Sequence, residues 1–230
     1  GGFGSILSTV AGVNYLSGAE GNPPAGVGTN YPDYVVNPIH GVTAILAALF
    51  HKRRTGEGQM IDMSQLESSV AATAGPMFAT VNGGGEYLRA GNHVPYAAPH
   101  AAYQVKDGAE RPDRWLAIGC IEDEQWRALA SVCGHAEWAD DARFASLADR
   151  KANEEALDEL IAAWAAAADG DAALAALQAA GVPAGLVLSA SEVLADEQLV
   201  EREYFRYLDH SEAGRRAYDG SGFKMSVTPC

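Results

Sequence analysis

The chain has little cysteine, few basic side chains and no long uninterrupted apolar run, and each shortage excludes something. Cys120, Cys133 and Cys230 are the only cysteines among 230 residues. An odd count fits no disulfide framework, and no pair has metal-ligand spacing, so reduced thiols in a cytoplasm are expected. Lys and Arg total 16 against 30 Asp and Glu, a formal charge of −14. A nucleic-acid binder needs a basic face to neutralise phosphates, so that class is disfavoured, whereas a small anionic ligand needs only one local patch. The longest purely apolar run, which includes Ala162 to Ala168, is Ala-rich and far short of a membrane span. No signal peptide is visible. The first residue is Gly1, and neither end looks like a natural terminus, so a piece of a longer protein is expected.

What is present is ample core material: 48% hydrophobic residues with 20% charged. Residues 5–18 suggest a short helix and then a loop, and 19–32 are rich in Gly, Pro and Asn. Asn37-Pro38 reads as an N-cap with proline in the first turn. Ile39, Val42, Ile45, Leu46, Leu49 and Phe50 follow at helical spacing. His51-Lys52-Arg53-Arg54 suits the negative end of that helix, and Thr55-Gly56-Glu57-Gly58 breaks it. Met60 to Met63 reads as a short strand, and Ser64-Gln65-Leu66-Glu67 as a capping box opening a helix to about Phe78. Helix, glycine turn, strand and capped helix is the rhythm of an α/β unit.

After a second loop (79–99) come strands near 101–105 and 115–120 about an Asp107-Gly108 turn. Helices follow at 121–133, 150–167 and 171–180, then a strand at 182–188 and a helical turn at 192–196. Two tail strands around Asp219-Gly220 complete the pattern. The expected division is 1–95 in a large layer, 96–188 as a smaller α+β unit, and 189–230 returning to the first layer.

Candidate chemistry centres on Asp33 in the turn Tyr31-Pro32-Asp33-Tyr34. A carboxylate just ahead of a helix N-terminus is favoured by the dipole and can act as nucleophile or base. Spacing alone favours the plainer reading, in which Asp33 only shapes the Pro-Asp turn. His40 lies on the first turn of the same helix, and His93 and His100 flank Tyr96, but neither arrangement makes a metal site. Gly83 to Gly85 lacks the strand and helix that a phosphate-cradling loop needs.

Together, YPDYVVNPIHGVTAILAALFHKRRTGEGQMIDMSQLESS resembles the class III CoA-transferase family. The matching features are Asp33, the Ala/Leu-rich helix, Arg53-Arg54-Thr55-Gly56-Glu57-Gly58-Gln59, Ile61-Asp62-Met63 and Glu67. The likeness continues through Arg89-Ala90-Gly91-Asn92, Pro99-His100, Asp107-Gly108, Trp126, Asp141-x-Arg143-Phe144, Arg150, Asn153 and Ala180-Gly181-Val182-Pro183. It implies an α/β fold, with part of a Rossmann-like large domain and a smaller α+β domain, in an interlocked homodimer. It implies that Asp33 is the nucleophile that passes CoA from an acyl-CoA thioester to a carboxylic acid through an aspartyl-CoA thioester. Coenzyme A then enters as substrate, with no permanently bound cofactor and no metal. Tyr31, His40, Arg89, Asn92, His93, Tyr96 and His100 are the implied substrate contacts.

Two alternatives stay open: racemisation of a 2-methylacyl-CoA with the same Asp as base, and a non-catalytic CoA-binding subunit. Two departures are visible. His93-Val94-Pro95-Tyr96-Ala97-Ala98-Pro99-His100 replaces the glycine run of formyl-CoA transferases, and the stretch after Asp33 is one residue longer.

Overall fold

The computed structural model describes residues 2–106 and 113–228 and divides into two compact units, Gly1–Tyr96 and Ala97–Cys230. The expected Asp107-Gly108 turn and the Cys230 thiol lie outside the described residues.

Unit 1 is helical among its described residues. It contains α1 (Gly4–Val10), α2 (Val13–Leu16), α3 (Asn37–Thr55), α4 (Gln65–Ala71) and α5 (Ala74–Val81). Gly56 closes α3 in the left-handed conformation at φ 81°, as the Thr-Gly-x-Gly signal implied. Ser64 caps α4 by accepting the Glu67 N–H at 3.3 Å. Three expectations fail here. The helix expected to run from the capping box to about Phe78 is two, α4 and α5, interrupted at 72–73. Residues 60–63 form no strand, because a strand needs a hydrogen-bonded neighbour and unit 1 offers none among its described residues. Asn37 is not an N-cap either: its φ of −63° and ψ of −44° are helical.

The helix instead begins upstream, where the Asn30 carbonyl accepts the N–H groups of Asp33 and Tyr34 at 2.9 and 3.2 Å. A π-helical turn, Pro32–Val36, then runs straight into α3, with the Asn37 N–H reaching back to the Pro32 carbonyl. Pro38 supplies the reason. A proline inside a helix lacks a donor and crowds the carbonyl four residues earlier, and a widened turn relieves both. The resulting Pro32–Thr55 helix has 24 residues and is long and apolar enough to cross a membrane by length and composition. That revises the reading from uninterrupted apolar runs. Core helices of soluble proteins pass the same test.

Unit 2 is built on a three-stranded antiparallel sheet of β1 (His100–Gln104), β2 (Trp115–Gly119) and β3 (Ala184–Leu186), in the order β1-β2-β3. Leu116 and Ile118 are buried while their neighbours on β2 are more exposed, the alternation of a one-sided sheet. Helices α6 (Asp123–Val132), α7 (Leu147–Ala152), α8 (Glu154–Ala167) and α9 (Gly170–Ala179) supply the rest of the core, with a 3₁₀ turn at Ala136–Asp140. Trp126, Leu129, Phe144, Leu157, Ile161 and Leu177 are almost completely enclosed. The helix expected over 150–167 is two helices broken at Asn153.

The tail of unit 2 carries α10 (Ala190–Ala195), α11 (Glu197–Glu201) and a hairpin of β4 (Arg206–His210) and β5 (Gly214–Tyr218). Its turn lies at 211–213, not at Asp219-Gly220. There the His210 Nδ1 accepts the N–H groups of Glu212 and Ala213, both at 3.1 Å. A side-chain anchor inside the turn outweighed the Asp-Gly signal further on.

Candidate active site

Proline chemistry places the candidate nucleophile. Pro32 fixes the backbone at the helix start, and the π turn holds Asp33 one residue later, half-buried, in the first turn. Helix α1 and helix α4 both pack on this turn. Asn37 on α3, Ser68 on α4, and Gly4 and Ser8 on α1 meet the carboxylate or its support.

Asn37 lies one turn along the helix from Asp33, buried, and its Nδ2 faces the Asp33 Oδ1 at 3.5 Å. The Asn37 Oδ1 in turn accepts a hydrogen bond from the Ser68 hydroxyl on α4, which is also buried. Gly4, the first residue of α1, covers the other side of the carboxylate. A Cβ at Gly4 would lie 2.7 Å from the Asp33 Cγ, closer still to Oδ2, and 3.0 Å from the Asn30 Cβ. No side chain fits there unless the carboxylate moves. The Ser8 hydroxyl, bonded to the Gly4 carbonyl at 2.9 Å, ties down the same turn of α1.

The other candidate residues are placed as follows. Tyr31 and His40 are exposed, on either side of Asp33 along the helix. Arg89 serves as a clasp between two loops. Its Nε donates to the Asn22 carbonyl at 3.0 Å, its Nη1 to the Tyr15 carbonyl at 2.9 Å, and its guanidinium lies 5.2 Å from the centre of the Tyr15 ring. The Gly91 N–H adds a bond to the Gly18 carbonyl at 2.9 Å. The Tyr15 hydroxyl donates to Glu86 Oε1 at 2.9 Å, and that bond holds the phenol above its usual pKa. Asn92 is exposed, His93 is half-buried and Tyr96 is exposed at the end of unit 1. His100 is half-buried at the start of β1, in unit 2, paired across the ladder with Gly119.

A cleft of about 570 Å³ in unit 1 is lined by Val10, Tyr15, Val70, Thr73, Met77 and Glu86 among others. Asp33 is not part of its wall, so this cleft and the candidate nucleophile occupy different places. Among the described residues no three His, Cys, Asp or Glu side chains gather as a metal site.

Asn37 was legible only as a capping signal, although its four-residue spacing from Asp33 on a helix places the two side chains together. Nothing local in the sequence marks Ser68 or Gly4 as neighbours of the carboxylate.

The comparisons with known proteins agree on the family. The family model for CoA-transferase family III matches residues 1–230. The succinyl-CoA–D-citramalate CoA-transferase of Chloroflexus aurantiacus is 30% identical over 228 residues, covering 99% of this chain and 55% of that protein. The succinyl-CoA:mesaconate CoA-transferase of Haloarcula marismortui is 29% identical, covering 98% of this chain and 55% of its own length. This chain thus spans about half the length of those relatives. A solved CaiB/BaiF family protein from Brucella suis superposes with a TM-score of 0.79 at 29% identity, over 96% of this chain and 59% of that one. A mixed helix-and-sheet chain with the Asp33 signature, matched from end to end by the family model, belongs to CoA-transferase family III.

Proposed function

We propose that the whole protein moves CoA from an acyl-CoA thioester to a carboxylic acid, with Asp33 as nucleophile. The observation that carries this reading is the half-buried Asp33 carboxylate, packed against Gly4 on one side and Asn37 on the other. A carboxylate already in place has a large proximity advantage over one in solution. It attacks the thioester carbonyl, the carbon–sulfur bond breaks, and the electron pair leaves on sulfur as CoA thiolate. The mixed anhydride is then attacked at Asp33 Cγ by the thiolate, releasing the donor acid and leaving an aspartyl-CoA thioester. The acceptor carboxylate reverses the two steps. Acyl energy stays in covalent bonds throughout rather than being lost to water.

The relatives' names supply the first donor to test, succinyl-CoA, and point to short dicarboxylates as acceptors. The loop 93–100 lacks the glycine run of formyl-CoA transferases, which disfavours formyl and oxalyl groups. Tyr31, His40, Asn92, His93 and Tyr96 are the proposed contacts to CoA and acid, and Arg89 acts by holding their loop. We place the protein in the cytoplasm as an interlocked homodimer with a Rossmann-like large domain, to which residues 189–230 return. In that assembly other protein, rather than lipid, covers the apolar face of α3.

The test is trapping. The whole protein is incubated with succinyl-CoA and related acyl-CoAs, hydroxylamine is added, and the modified peptide is mapped. A mark on Asp33, lost in Asp33→Ala together with turnover, is expected. Solvent deuterium at the α-carbon of a 2-methylacyl-CoA with no mark would instead assign racemisation. Full turnover by Asp33→Ala removes both roles.

A further inference from the structure

We infer that Asn37 is a catalytic oxyanion donor for the aspartyl intermediates, held in its working orientation by Ser68. The inference rests on the reading of Asp33 as nucleophile. It starts from an oddity of unit 1: an asparagine buried within the helix, where a carboxamide costs stability unless its hydrogen bonds are made. Asn37 makes them to two groups, Ser68 on another helix and the candidate nucleophile itself.

The orientation of the carboxamide follows from what its neighbours can offer. A carboxylate only accepts, so the side of Asn37 facing Asp33 must be the NH₂ group. The Asn37 Oδ1 is then left toward Ser68, whose hydroxyl donates to it. The Ser68 oxygen also lies 3.2 Å from the carbonyls of Ser64 and Gln65, so its single proton has three acceptors within reach. Were the proton given to either carbonyl, Asn37 could turn its nitrogen to Ser68 and its oxygen to Asp33. Two oxygens would then face each other, which the Asp33 charge opposes. The Asp33 charge and the Ser68 hydroxyl together hold the amide with its donor edge toward the nucleophile.

The chemistry needs a donor at that place. When Oδ2 of Asp33 attacks the thioester carbon, Oδ1 becomes the carbonyl oxygen of the mixed anhydride. Thiolate then attacks Cγ, and an electron pair moves onto Oδ1. The tetrahedral centre collapses with cleavage of the Cγ–Oδ2 bond, and the donor acid leaves carrying Oδ2. The acceptor acid repeats the event at the same carbon, with sulfur as the leaving atom. In both tetrahedral states full negative charge sits on Oδ1, the atom that Asn37 Nδ2 faces. The 3.5 Å separation is the outer edge of a hydrogen bond, and bonds of this kind tighten as charge develops on the acceptor. On the opposite side Gly4 leaves the carboxylate its place, which any Cβ there would take.

The experiment uses the whole protein and whichever acyl-CoA labels Asp33 in the trapping test, succinyl-CoA first. Asn37→Ala is expected to lower kcat by about 10²–10³, the usual loss of one oxyanion donor, with KM for the acyl-CoA within about threefold. Asn37→Asp keeps the size of the side chain but replaces donor by acceptor. It is expected to lose at least as much kcat, with the acidic limb of its pH–rate profile moved upward by the second carboxylate. Ser68→Ala is expected to cost about tenfold in kcat, since the amide remains but is no longer held. If Asn37→Ala does not fold, the isosteric Asn37→Asp and Ser68→Ala decide, with circular dichroism as the control for folding. An Asn37→Asp protein with kcat within threefold of wild type, beside an inactive Asp33→Ala, overturns the role of Asn37 and leaves that of Asp33 standing. Unlabelled Asp33 with every acyl-CoA, or an active Asp33→Ala, removes both.

Discussion

The two units of this chain bury opposite kinds of side chain. The interior of unit 2 is apolar: Leu116, Ile118, Trp126, Leu129, Phe144, Leu157, Ile161 and Leu177 form one cluster. In unit 1 the buried groups are mostly small and polar, namely Ser8, Asn37, Ser68, Ser69 and Thr73. Its large apolar side chains face outward instead. Ile39, Val42, Ile45, Leu46, Leu49 and Phe50 on α3 are all between 51% and 63% exposed. Apolar burial is the main favourable term in folding, so unit 2 carries its own driving force within these residues. Unit 1 spends its tightest packing on polar contacts around Asp33. The difference separates where stability resides from where chemistry is proposed.

The sharpest way to break that separation is Arg150. Its guanidinium is completely enclosed in unit 2, donating to the Ala98 carbonyl at 2.7 Å, the Phe144 carbonyl at 3.3 Å and Asp123 at 2.8 Å. Arg150→Ala leaves two buried carbonyls without a donor, and a loss of about 3–5 kcal/mol of unfolding free energy is expected in urea denaturation. In the fraction still folded at low temperature, Asp33 labelling by acyl-CoA should run at the wild-type rate. Labelling that falls in step with stability would show that the units are not separable in this way.

Gly4→Ala is the converse change. The new methyl group meets the Asp33 carboxylate, and a displacement of even 1 Å of a reacting group is costly. A fall in kcat of about 10–100-fold is expected, equivalent to about 1.4–2.8 kcal/mol, with the urea midpoint of unit 2 unchanged. Wild-type kcat would mean that α1 gives way and that Gly4 does not confine the carboxylate.

The sequence made much of unit 2 readable, because its signals are local. Trp126 and Leu129 sit at helical spacing, Asp169 caps α9 by accepting the Ala172 N–H, and Leu116 and Ile118 alternate along β2. The misjudged elements each depend on something distant or competing. Met60 to Met63 has strand composition but no neighbour to pair with. Asn37-Pro38 carries a capping signal that the upstream helix start at Asn30 and the π turn override. The hairpin register follows from one side chain, His210, that ordinary turn statistics do not include. At the site, Asp33 was legible through the family signature and not through spacing. Ser68 lies 31 residues from Asn37, and its role exists only after α4 has packed on the π turn.

The smallest effect concerns alkaline pH and should fall on unit 2. Cys120 and Cys133 are buried there, and burial pushes both thiols up to about 12 from the ordinary 9.0. For Cys120 the nearby Arg150 charge opposes part of that rise, and for Cys133 the neighbouring Cys120 adds to it. Tyr103 moves the same way, chiefly through burial and then through the charge of Asp158, to which its hydroxyl donates at 2.6 Å. All three are neutral when protonated, and the fold holds their protons more tightly than the unfolded chain does. Their contribution to stability is therefore complete below pH 9. It is lost progressively as pH rises from 9 toward 12, at about 1.4 kcal/mol per pH unit for each thiol that ionises only when unfolded. Urea midpoints of unit 2 should be level from pH 7 to 8.5 and decline above pH 9, and Cys120→Ala should flatten the decline. A decline of equal slope in Cys120→Ala would show that this thiol does not carry it. Unit 1 has no cysteine, so an equal alkaline loss there would end the contrast between an apolar interior and a polar one.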